Sequence, residues 1–111
     1  MNGKVGARVR AAFRALVNMD AAEIAGWLEG AESRRVGTIR PGESESVGRQ
    51  SARRIIQILE TPEPALDDDD YRHMRTVVGF IRRHGARPPA NIYTSRWRYS
   101  LMNWGHDPLK R

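Results

Sequence analysis

Three histidines, four consecutive aspartates and one Gly/Ser segment are the places where this 111-residue chain could do chemistry. His73 and His84 are eleven residues apart. On one helix that puts them on nearly the same side but about 16 Å apart. They cannot share a metal, and no convergent ligand set forms around either one or around His106. The Asp67–Asp70 run lacks the spaced oxygens and the glycine of a calcium loop. It fits better as a helix start, where carboxylates cap free amides and oppose the positive end of the macrodipole. The segment GESESVG, from Gly42 to Gly48, has no lysine to reach a phosphate, and its acids would repel one. There is no cysteine, so thiol nucleophiles, thiolate metal sites and disulfides are excluded. No nucleophile elbow or acid/base pair is legible. The expectation is a protein that is not an enzyme and takes no cofactor or metal.

Arginine is the residue type present in a pattern. The formal net charge is +6, and all of the 19 basic residues except Lys4 and Lys110 are Arg. The charge is segregated along the chain. Residues 1–19 carry Lys4, Arg8, Arg10 and Arg14 and no acid, and after Thr76 the single acid is Asp107. The acids cluster at 20–32 and 63–70. At helical spacing Arg72, Arg75, Arg82 and Arg83 fall within about 100° of arc, with Gly79 among them and the apolar residues opposite. Arg49 and Arg53 stack at i, i+4 one helix earlier, and Arg10 and Arg14 do the same near the start. Guanidinium forks pair bidentately with phosphate oxygens, so these eight arginines are the candidate nucleic-acid contacts. Bases of a single strand would need exposed rings beside them. In SRWRYS, Trp97 falls on the apolar stripe with Leu101 and Trp104, which leaves Tyr99 as the ring expected to be exposed.

The elements that must position these side chains read as helices throughout. Val5, Val9, Ala12, Phe13 and Leu16 give a first helix over Val5–Val17. Asp20 and Glu23 form a capping-box signature for a second, which ends near Gly30. Residues 34–45 read as a loop, and Ser46 caps a third helix that TPEP closes at Thr61–Pro64. The acidic run opens a fourth helix extending to His84, with Gly85 as its stop. After a further loop near 85–94, a final helix over Thr94–Trp104 ends at Gly105. The prediction is a single all-α domain, residues 1–111, in a compact bundle of about five helices with loops near 34–45, 61–67 and 85–94. Val36–Arg40 is the one stretch with strand character, too weak to count as an element.

Four blocks in order, VNMDAAEIAGWL, ESVGRQSARRIIQIL, DDDDYRHMRTVVGFIRRH and SRWRYSLMNWGHDPLK, resemble a small bacterial domain-of-unknown-function family. Some of its members carry the label "DNA-binding protein". The resemblance spans about Val17 to Lys110. It implies no catalytic activity, no cofactor and no transferable site residue, and its direction agrees with the arginine pattern. Within the last block Asn103 and His106 stand out as a polar pair. They read either as a site or as local hydrogen-bonding residues that tie down the tail.

The expected function is therefore non-specific binding of nucleic acid, DNA favoured, through an Arg-rich helix face. An acidic protein partner or self-association is the alternative. The link between the third and fourth helices is too long for a helix-turn-helix, and the second helix is too acidic to be a recognition helix. No apolar run is long enough to span a bilayer, and MNGKVGARVR has no apolar signal core. The expected compartment is the cytoplasm, or the nucleoid if the partner is DNA.

Overall fold

The computed structural model describes residues 3–110. Six α-helices are present among the described residues: α1 (Gly3–Leu16), α2 (Ala21–Leu28), α3 (Ala31–Arg34), α4 (Val47–Leu59), α5 (Asp68–Gly85) and α6 (Arg96–Asn103). A 3-10 turn at Glu63–Ala65 separates α4 from α5, and no strand occurs among the described residues.

The helix starts obey their sequence signals. Asp20 accepts from the Glu23 amide while the Glu23 carboxylate accepts from the Asp20 amide, and Asp67 and Asp70 repeat this reciprocal box at the head of α5. Ser46 and Ser95 cap α4 and α6. The ends differ more. Gly30 stands in an extended conformation and breaks the second helix into α2 and the single turn α3, which gives six helices rather than five. Gly85 does not stop α5 by turning left-handed. It is the last helical residue, and Ala86 caps it in ordinary helical conformation.

Gly105 does turn left-handed, at φ 81°. The His106 amide donates to Leu101 O at 3.0 Å and the Gly105 amide to Met102 O at 3.0 Å, a Schellman closure of α6. A Cβ at Gly105 would lie 2.9 Å from Val17 Cγ1, so both conformation and space require glycine.

Helix α1 lies along α5, α2 lies along α4, and α6 touches α2, α3, α4 and α5. The core between them is Phe13, Ile24, Leu28, Ile55, Ile58, Met74, Val77, Ile81, Leu101 and Trp104. Burial of each large side chain contributes about 1.5–3 kcal/mol. Val36 is buried, yet its segment stays irregular, held by the Val47 amide donating to Thr38 O at 2.9 Å. No helix among the described residues is long and apolar enough to cross a membrane.

Candidate functional site

The arginines chosen from sequence separate into two groups once their acids are located. Arg49 points inward. It is 6% exposed, its Nη1 donates to Leu28 O at 2.9 Å and to Ser33 Oγ at 2.7 Å, and its Nε lies 3.3 Å from Glu45 Oε2. The Leu28 carbonyl closes α2 and has no partner further along the helix, so the guanidinium is acting as a C-terminal cap. Arg49 is therefore removed from the phosphate-contact set. Arg53, its neighbour one turn on, is exposed but doubly bonded to Glu45, with Nη2 to Oε2 at 2.8 Å and Nε to Oε1 at 2.9 Å. That contact holds the Glu45 carboxyl below its usual range.

Arg10 is also occupied. It donates to the Tyr71 hydroxyl at 2.7 Å and pairs with Glu63 at 2.9 Å. Arg72 reaches back to Asp69 one turn earlier, so the α5 stripe is not wholly free of acids at its N-terminal end. Arg14 is exposed and without an ion pair among the described residues, but it borders a separate hollow with Phe13, Ile58 and Leu59.

Arg75, Arg82 and Arg83 remain. All three are exposed, and none has a carboxylate within ion-pair distance among the described residues. Arg83 folds over Gly79, where a Cβ would stand 2.9 Å from its Nη1. Gly79 thus makes room for a guanidinium of its own helix. Arg75 and Arg82 line a groove of about 300 Å³ between α1 and α5, together with Arg8, Val9, Ala12 and Val78. Arg8 had not been singled out from the sequence. It is exposed and unpaired among the described residues, and it brings a third guanidinium to a groove with no acid in its walls. Only the packing of α1 on α5 reveals it.

Both members of the polar pair near the C-terminus are engaged in hydrogen bonds within the fold. Asn103 is 1% exposed, and its Oδ1 accepts from Trp27 Nε1 at 2.8 Å and from Ser33 Oγ at 2.6 Å. Its Nδ2 donates to Ser33 O at 3.1 Å. With Arg49 this makes one closed network joining α2, α3, α4 and α6. His106 donates from Nδ1 to Leu16 O at 2.6 Å, closing the end of α1. The Asp107 amide and carbonyl are both bonded by Asn18, and Arg98 grips the Asp107 carboxylate with two bonds of 3.1 Å. Burial raises the Asp107 pKa, but the Arg98 bonds and the Leu109 amide outweigh it and hold the group below its usual range.

Of the rings, Tyr99 packs at 5.6 Å from Trp27 and is half-buried, contrary to the expected exposure. Tyr93 is the exposed ring, at 66%. Among the described residues no group of three His, Asp or Glu side chains is placed to hold a metal ion.

The profile of the family described as "Protein of unknown function (DUF3140)" matches residues 12–102. The chain belongs to this family. That span takes in α2 to α5, the last five residues of α1 and all of α6 but Asn103, hence the α5 arginines, while Arg8 lies before it and Asn103 one residue beyond it. No curated protein and no solved structure matches the chain.

Proposed function

We propose that this DUF3140 protein binds nucleic acid, with DNA favoured, through the phosphate backbone and without sequence readout. One observation carries the reading: Arg8, Arg75 and Arg82 border an acid-free groove between α1 and α5, with unpaired Arg83 beside them on α5. Elsewhere the fold spends its carboxylates on guanidinium groups, at Glu45, Glu63, Asp69, Asp70 and Asp107. Leaving this face unneutralised keeps a local positive potential that a polyanion would feel. The "DNA-binding" label carried by some proteins that the sequence resembles points the same way. Backbone contact fits this face because guanidinium forks pair with phosphate oxygens whatever the base sequence.

The test is a titration of fluorescent double- and single-stranded oligonucleotides at low and moderate salt. The wild type is expected to bind at low salt and weaken as salt rises. Changing Arg8, Arg75, Arg82 and Arg83 to Gln should weaken binding strongly at low salt and remove most of its salt dependence. Absence of binding at low salt would overturn the proposal, and an acidic protein surface would then become the better partner for the same groups.

A further inference from the structure

A second concave feature shares no lining residue with the arginine groove. It is a cleft of about 390 Å³ lined by Gly37, Thr38, Val47, Gly48, Phe80 and His84, and closed on the α6 side by Ser100, Asn103 and Trp104. Its size is at the small end of the range for organic ligands. One wall is a stack of rings: Phe80 lies 4.4 Å from Trp104 and 5.1 Å from His84, centroid to centroid, with both pairs near parallel.

The polar groups of the cleft are what set it apart. His84 Nε2 is buried with no hydrogen-bond partner. Trp104 is only 7% exposed, yet its indole N–H donates to no group among the described residues, unlike those of Trp27 and Trp97. Its Nε1 lies on the Gly48 side, 3.1 Å from where a Gly48 Cβ would stand. The half-buried Ser100 hydroxyl likewise has no hydrogen bond to another group among the described residues. At the N-terminus of α4 the Val47 amide is taken by Thr38 O and the Arg49 amide by Ser46, while the Gly48 amide between them has no partner among the described residues. Buried polar groups are nearly always paired, so the orphaned His84 Nε2 on this apolar-walled cleft needs a reason.

We infer that this cleft binds a small monocarboxylate with a flat apolar body. The free N–H of Trp104, the free amide at the positive end of α4 and the Ser100 hydroxyl suit a carboxylate, and no acid lines the cleft to oppose it. Phe80, Val47 and the Trp104 ring receive the apolar part. The inference does not depend on nucleic-acid binding.

Benzoate is the probe, with benzamide as its neutral counterpart, followed through the three indole N–H resonances in nitrogen-15-labelled full-length protein. Benzoate should shift the Trp104 indole signal saturably and leave those of Trp27 and Trp97 nearly in place. Benzamide should bind at least about tenfold more weakly, equivalent to a difference of about 1.4 kcal/mol. Ser100→Leu, which fills the cleft from the half-buried face of α6, should remove the benzoate response while keeping the dispersed spectrum of a folded protein. The milder Ser100→Ala should weaken it. No Trp104 shift, equal movement of all three indoles, or benzamide binding as tightly as benzoate would each overturn the inference.

Discussion

Helices α4 and α5 carry arginine rows of the same appearance, and the fold uses them in opposite ways. On α4, Arg49 is drawn under the α2–α3 corner and Arg53 is held by Glu45. On α5, Arg75, Arg82 and Arg83 stay exposed and unpaired among the described residues. Charge and helical spacing do not distinguish the two rows. What does is whether a carboxylate or an orphaned carbonyl is brought within reach by the packing. Glu45 stands just before α4, within one turn of Arg49 and two of Arg53. The acids of α5 are confined to its first turn, where only Arg72 can reach one of them.

The contrast is most severely tested at Arg49. Arg49→Ala should destabilise the fold by about 3 kcal/mol, because it strips a buried cation from Leu28 O and Ser33 Oγ. Chemical denaturation measures this, and a loss below about 0.5 kcal/mol would place Arg49 with the surface arginines. Asn103→Ala should cost about 2 kcal/mol in the same assay, since it leaves the Trp27 indole N–H and the Ser33 O–H without their acceptor.

His73 sits on the seam between the two helices, where its Nε2 lies 2.9 Å from Ser51 Oγ. Burial, followed by the charge of Arg54, lowers its pKa, against opposing help from Ser51 and Asp70. A depressed folded-state value means that the unfolded chain takes up the proton first. The stability contribution is then complete above pH about 6.5 and is lost as pH falls from there towards the folded value. The melting temperature should drop between pH 7 and pH 5, and His73→Gln should flatten that slope. Asp70 and Asp107, both depressed in the folded protein, lose their contributions at lower pH, so the two windows separate. The smallest stability effect belongs to the α5 face: Arg75→Gln, Arg82→Gln and Arg83→Gln should each stay within about 0.5 kcal/mol of wild type.

Local rules made the helices and their starts legible. Asp20 with Glu23, Asp67 with Asp70, and Ser46 each act on an amide three residues away, and Gly105 closes α6 within its own turn. The burial of Arg49 and the role of Asn103 were not legible, because their partners lie 21 and 70 residues away in the chain. His106 reaches Leu16 across 90 residues. Three of the four arginines proposed to contact phosphate stood out from the α5 wheel. Arg8 did not, because a single residue on α1 gains meaning only when α1 is laid against α5.

The most direct test of the contrast between the two rows is the salt dependence of DNA binding in matched variants. With four phosphates neutralised, the log-log slope for wild type should be about −3.6. Arg53→Gln with Arg72→Gln, which removes arginines already paired to acids, should leave that slope nearly unchanged. Arg8, Arg75, Arg82 and Arg83 changed to Gln should bring it close to zero. Equal slopes in the two variants, or a larger loss from the paired arginines, would contradict the account.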